Sequence, residues 1–369
     1  MGIEHSARAS ALAALLLAGA CMADESTGSK DDLGAAEDGS SGNQGSGSGS
    51  GNLATTTFEV SYLLSDQPGV ATHTDAALQD AWGVATLQDR FPMAAQITGQ
   101  LIFADSTGAP QTRIMLDDGI TGIELNTSDQ IQIDIGNKCG AAQMLVASET
   151  GRIWGLSSAL STTQGIAVVN RSGAHAEYTG VAIIQPTSGK GGKDGKGGND
   201  GAHPLVLAVD FHNGRVDVFD EHFHLVQGLS QRFKVPNLPK GFSPFGIKAT
   251  EDRVFLTFAR RRPPMKGEQF DQQVAGAGFG IVAAFDLNGK LQWHTQSQLL
   301  NVPWGLELGD FGLSVRAALL VGNHGTAGVP QQCQPTGTCG ADANKNGGTI
   351  TVIEPASGKV RGQLIDIKK

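Results

Sequence analysis

The sequence predicts an all-β fold, a β-propeller of about five to six four-stranded blades, the last of them complete or incomplete. Three observations predict it. Glycine is abundant, 51 of 369 residues, without the G-X-Y period of collagen. Apolar and polar residues alternate at period two in many short runs, which marks half-buried strands. One unit recurs along the chain at spacings of about 40 to 65 residues, the signature of propeller blades. Hydrophobic residues make up 40% of the chain, enough to bury a core, so a wholly disordered chain is excluded. The formal charge of -9 argues against a nucleic-acid footprint, which needs a basic face.

Residues 1–21 read as a signal peptide. Arg8 gives a thin basic start, weakened by Glu4, and Ala9 to Ala20 is apolar with Leu15, Leu16 and Leu17 in a row. A dozen apolar residues fall short of the roughly 20 needed to span a bilayer. The run ends in Ala18-Gly19-Ala20-Cys21, which resembles a bacterial lipobox with Ala where Leu is usual, so Cys21 is the expected lipidation site. The competing reading is an ordinary signal peptide with an incidental cysteine. Residues 22–53 are Gly-, Ser- and acid-rich and read as a disordered tether, which cannot bury enough apolar surface to fold. The expected location is therefore the cell envelope, as a lipoprotein at the outer membrane or the periplasmic face, touching the membrane only through the lipid. An exported compartment permits disulfides. Cys333 and Cys339 enclose a short Pro/Gly-containing loop and are expected to pair, leaving Cys139 as a lone buried thiol. No C-x-x-C occurs, so neither a zinc ribbon nor a redox motif is indicated.

The propeller domain is expected over 54–369. Its leading motifs are Trp82-Gly83-Val84, Thr121-Gly122-Ile123, Thr179-Gly180-Val181, Phe245-Gly246-Ile247 and Trp304-Gly305-Leu306. Innermost strands converge on the axis, where a missing side chain lets neighbours pack. Each motif precedes a second apolar stretch: Leu101 to Asp105, Met144 to Ser148, Leu205 to Asp210, Val254 to Phe258 and Leu319 to Asn323. A third, alternating stretch follows in Gly214 to Asp220, Gly280 to Asp286 and Gly348 to Glu354, and a fourth in Leu287 to Trp293. The Gly/Lys-rich insert at 187–203 lacks the P-loop spacing and reads as a solvated loop.

Several of these residues carry a family resemblance. Leu64 to Asp75, Ala81-Trp82-Gly83-Val84-Ala85, Asp210 to Asp220, Pro236 to Phe245 and Asn301 to Leu306 resemble the motifs of a bacterial family of conserved hypothetical proteins. That family is similar to NHL-type propellers, and some members occur in genomes with PEP-CTERM sorting systems. The resemblance implies a propeller fold and an exported location, and no activity. Family members continue beyond the region of Arg361 to Leu364 into a final blade. Here either the last blade is missing or the strand Thr57 to Leu64 completes a partial one.

Aligned second strands place Asp105, Ser148, Asp210, Phe258 and Asn323 at equivalent positions. Such a ring could hold a hard cation or a polar ligand. Candidate ligand-binding residues are His73, Asp75, Asp105, Asp210, His212, Asn323 and His324, with Asp105, Asp210 and Asn323 as the metal set and Ca²⁺ as the cation. The bland alternative is that these Asp and Asn side chains cap turns. Asp342 to Gly347 matches only the first half of a calcium loop, since Ile353 stands at position 12, and reads as a polar turn. Arg260-Arg261-Arg262 reads as a solvated loop between strands, with an anionic partner as the alternative. The absence of G-x-S-x-G and H-E-x-x-H counts against serine hydrolases and zincins. The chain therefore reads as a monomeric binding module for an envelope protein or small polar ligand, without catalytic residues. A Ca²⁺-dependent, lactonase-like propeller hydrolase is the alternative.

Overall fold

The computed structural model describes residues 57–58, 61–161, 163–185, 203–309, 317–325 and 349–366. The chain enters through three two-residue strands, β1 (Thr57–Phe58), β2 (Leu64–Ser65) and β3 (His73–Thr74), of which β2 and β3 pair in parallel. Blade 1 follows as β4 (Ala81–Val84), β5 (Arg90–Ala95), β6 (Gln100–Asp105) and β7 (Pro110–Met115). Blade 2 begins with β8 (Ile120–Leu125). A hairpin of β9 (Gln132–Ile135) and β10 (Lys138–Ala141) is inserted before β11 (Met144–Ser148), β12 (Arg152–Leu156) and β13 (Ile166–Asn170). Blade 3 holds β14 (Tyr178–Ile184), β15 (Leu205–Asp210) and β16 (Arg215–Phe219). The short helix α1 (Gln227–Ser230) stands where a fourth strand was expected.

Blade 4 comprises β17 (Phe242–Ala249), β18 (Arg253–Arg262), β20 (Gly280–Asp286) and β21 (Leu291–Gln296), with β19 (Gln272–Gln273) on the extension of β18. Blade 5 is β22 (Pro303–Gly309), β23 (Ala318–Asn323), β24 (Ile350–Ile353) and β25 (Val360–Gln363). These five antiparallel sheets form a five-bladed β-propeller. After blade 5, β26 (Ile365–Asp366) pairs in parallel with β1, so the strand expected to complete a partial blade instead joins a separate two-stranded sheet.

Alternation decides which side chains meet between blades. Ala94, Leu101 and Phe103 of blade 1 pack on Ile120, Met144 and Val146 of blade 2. Leu145, Ala147 and Ile153 of blade 2 pack on Tyr178, Val206 and Phe219 of blade 3. Equivalent clusters join blades 3 and 4, and blades 4 and 5. Each fully buried Leu, Ile or Phe contributes about 1.5–3 kcal/mol. Among the described residues the seam between blades 5 and 1 differs. Each face there carries its own small cluster, Ala318 and Val352 on one and Leu78, Ala95 and Ile102 on the other.

The leading glycines explain the inner packing. A Cβ on Gly83 would lie 2.5 Å from the Thr121 carbonyl oxygen, on Gly122 2.8 Å from Gly180 Cα, and on Gly246 2.1 Å from the Trp304 carbonyl oxygen. A Cβ on Gly305 would meet nothing within 4 Å. The inner strand of every blade is irregular at its motif, as between Tyr178 and Gly180 or Pro303 and Gly305.

The pairing corrects the expected alignment in blade 1. The second strand there is β5, and Leu101 to Asp105 is the third. The arginine run is strand rather than loop: it extends β18, and β19 pairs with Arg261 and Arg262. Cys139 is disulfide-bonded rather than a lone thiol. Cys21, Cys333, Cys339, the 22–53 tether and the Asp342 to Gly347 turn lie outside the described residues, as does nearly all of the 187–203 insert.

Candidate binding face at one mouth of the channel

The residue before the motif glycine links inner strands of different blades. In blades 2 and 3 it is threonine. Thr121 Oγ1 donates to the Tyr178 carbonyl (2.8 Å) and Thr179 Oγ1 to the Phe245 carbonyl (2.6 Å), so each hydroxyl staples its blade to the next. In blades 4, 5 and 1 it is aromatic. Trp82 meets Trp304 edge-on at 5.3 Å and Phe245 at 5.7 Å, and Phe245 meets Phe211 at 4.9 Å. Trp304 Nε1 donates to the Thr179 carbonyl (2.9 Å), a contact from blade 5 to blade 3. Beside this aromatic group lies a channel cavity of about 380 Å³, lined by Gly83, Gly122, Gly180 and Gly305 with Glu124, Lys248 and Glu307. Burial raises the Glu124 carboxyl to about 7, against the pull of Lys248.

The edge at which the inner strands begin carries the polar groups. Asp80 and Glu177 immediately precede β4 and β14, and Glu149, His212 and His324 follow the second strands β11, β15 and β23. The segment between β18 and β20 reaches over this edge to both neighbours. The Asp271 backbone N–H donates to both Glu177 carboxylate oxygens at 3.1 Å, and Gln273 Nε2 lies 3.3 Å from His324 Nδ1. The Gly276 N–H donates to Asn301 Oδ1 at 2.7 Å. His212 Nδ1 sits 3.0 Å from Asp271 Oδ2 and 3.8 Å from Glu177 Oε1, and Arg261 also contacts Asp271 Oδ2. Glu177, His212 and Asp271 thus offer three donor atoms within 4.8 Å of one another, a set that could hold a metal ion.

This mouth is acidic, and its carboxyls feel one another. Burial raises Glu149 to about 8, helped by the charges of Glu177, Asp80 and Asp118 and opposed by a hydrogen bond from Gln96. Burial likewise raises Glu177 to about 7; the Asp271 N–H and His212 oppose the rise, and Asp271 and Asp210 add to it. Two carboxyls that hold their protons near neutrality can trade them for an incoming cation.

The expected site residues divide. His212 and His324 stand at this mouth. Asp210 and Asn323 lie just inside it and act as turn caps. Asp210 Oδ1 accepts from the Glu177 and Asn213 N–H groups, and burial raises its carboxyl. Asn323 Oδ1 accepts from the Asn301 N–H, and its Nδ2 donates to Thr351 Oγ1. Asp105 is not brought to them. It pairs with Arg90 at the other edge of blade 1, where Thr107, Ala109 and Gln111 donate to it and hold its carboxyl low. Asp75 accepts from Arg113 on the outermost strand of blade 1, and His73 pairs with Leu64 nearby. The set Asp105, Asp210 and Asn323 therefore does not converge, and the hydrolase alternative that needed it finds no support.

Sequence reasoning missed Glu149, Glu177 and Asp271, and read Arg261 only as part of a basic run. Glu149 follows Ser148, a residue already placed on the ring, and Glu177 precedes a leading motif by two residues. Position relative to the strand ends was the available signal for both. For Asp271 there was none, because an irregular connection carries it across.

No family model matches the chain. It is similar to three uncharacterised proteins of Acanthamoeba polyphaga mimivirus. One is 27% identical over 53% of this chain and 34% of the relative. The other two are each 24% identical over 74% of this chain, covering 66% and 70% of the relatives. The chain thus spans between a third and about two thirds of their length. Similar solved structures include hydrazine synthase of Kuenenia stuttgartiensis, with a TM-score of 0.39 and 11% identity over 78% of this chain and 66% of that one. A protein of unknown function from Bacteroides caccae gives 0.40 and 12%, over 78% and 81%. The propeller that the family resemblance implied is the fold of this chain; membership of the bacterial NHL-like family is not established by these relatives.

Proposed function

We propose that this protein is an exported, lipid-anchored binding module that holds a polar or basic partner at the acidic mouth of its propeller. The reading follows the NHL-like resemblance for compartment. One observation carries the site: all five blades contribute polar groups to a single mouth, and two of them, Glu149 and Glu177, hold their protons near neutral pH. A basic group docking there replaces those protons and relieves the like-charge crowding. The aromatic residues Trp82, Phe245 and Trp304 lie beneath it, so a partner rests on the mouth. The anchor at Cys21 and the flexible tether at 22–53 would hold the folded body off the membrane surface.

The test is a cross-linked pull-down from cell envelopes with the wild-type body and with a Glu149→Gln/Glu177→Gln variant. The proposal expects partners retained by wild type and lost by the variant. An unchanged set of captured proteins would sink it. For the anchor, Cys21→Ser should move the protein from the membrane to the soluble fraction, and continued membrane association would contradict lipidation.

A further inference from the structure

Outside the expected calcium set, Glu177, His212 and Asp271 form a different group of donors. They come from three separate segments: the connection into β14, the turn after β15, and the crossing between β18 and β20. We infer that these three residues bind a divalent transition ion, with zinc as the best-matched one, through His212 Nδ1 and one carboxylate oxygen from each of Glu177 and Asp271.

Three observations carry this. The first is spacing. Metal–ligand bonds of about 2.0–2.2 Å place neighbouring donors roughly 3.0–3.5 Å apart. His212 Nδ1 lies 3.0 Å from one oxygen of the Asp271 carboxylate and 3.8 Å from Glu177 Oε1, and one donor atom from each residue falls within 4.8 Å of the other two, so side-chain shifts of about 1 Å close them on an ion. The second is an orphan. Asp271 Oδ1 is buried without a hydrogen-bond partner, in a side chain only 1% exposed. A buried carboxylate oxygen left bare is costly, and an ion in this group of donors would satisfy it. Arg261 and His212 both contact Oδ2, so Oδ1 is the Asp271 oxygen left for the ion. The third is charge. With an ion bound, the Asp271 and Glu177 carboxylates outweigh the single Arg261 guanidinium, so the donor set balances the charge of the ion.

The donor types select the ion. Calcium and magnesium take oxygen ligands, whereas an imidazole nitrogen with carboxylates suits zinc. Three protein ligands leave a position open, and half-exposed His212 puts that position at the solvent side. The inference refines the proposed mouth as a binding face, and its test uses metal alone, so either can fail without the other.

Calorimetric titration of the chelator-treated full chain with zinc chloride near neutral pH tests it. We expect one zinc per chain and a raised melting temperature. His212→Ala and Asp271→Asn should each weaken binding by about tenfold or more. His224→Ala should bind as wild type does, because exposed His224 contacts Asp220 and His222 in another turn. Should Asp271→Asn fail to fold, His212→Ala decides alone. Absence of saturable binding, or binding lost in His224→Ala and kept in His212→Ala, would overturn the assignment.

Discussion

Gly246→Ala tests how the blades are packed at the axis. A Cβ there would lie 2.1 Å from the Trp304 carbonyl oxygen and 2.9 Å from Thr257 Oγ1. The first obstacle is backbone of the next blade, not a side chain that can rotate away. Restoring ordinary contact means moving blade 5 by about 1 Å, and overpacking of this kind costs roughly 1–3 kcal/mol. The same move disturbs the hydrogen bond from the Gly246 N–H to Thr257 Oγ1 (2.8 Å). Gly305→Ala is the matched control, since its Cβ would meet nothing within 4 Å. Alanine there restricts the unfolded chain and should be neutral or stabilising by up to about 1 kcal/mol. Urea unfolding followed by tryptophan fluorescence reads both. Equal loss of stability in the two variants would refute the glycine argument.

Other consequences follow from the same contacts. Unfolded carboxyls lose their protons near pH 4.5, whereas Glu149 and Glu177 keep theirs to about 8 and 7 in the fold. Unfolding therefore releases protons between these limits, and stability should fall as pH rises from about 5 to about 8. Glu149→Gln should flatten that slope in urea midpoints measured across the range, and an unchanged slope would contradict the shift. Thr179→Val keeps the shape but strands the buried Phe245 carbonyl, at an expected cost of about 1–3 kcal/mol in the same unfolding assay. Cys139→Ser should cost about 2–5 kcal/mol by loss of its disulfide, and wild-type stability after the substitution would deny the bond a structural role.

The repeating part of the fold was legible in the sequence. Trp82-Gly83 through Trp304-Gly305 mark five inner strands, and at Gly83, Gly122 and Gly246 a Cβ would fall within 3 Å of the next blade's backbone. What failed was counting within a blade. Arg90 to Ala95 carries Pro92 and reads poorly as a strand, so the next run, Leu101 to Asp105, took its place and carried Asp105 to the wrong edge. The arginine run reads as loop because three charges in a row break alternation. In the fold each has its own partner: Arg260 stacks on Phe279 at 4.5 Å, Arg261 meets Asp271, and Arg262 grips Glu268. The site itself was half legible. His212 and His324 stand out as histidines after strand ends, but Asp271 arrives from an irregular crossing whose path no periodicity encodes.

The most direct measurement of the central claim is photo-cross-linking in intact cells. A photoreactive residue replaces exposed His175, whose ring lies 6.3 Å from that of His212 at the mouth. A second protein carries it at exposed Glu251, in the turn between β17 and β18 at the opposite edge. The account predicts discrete adducts from position 175 that disappear with Glu149→Gln/Glu177→Gln, and none from position 251. Adducts from position 251 alone, or adducts at 175 indifferent to the two carboxyls, would contradict it.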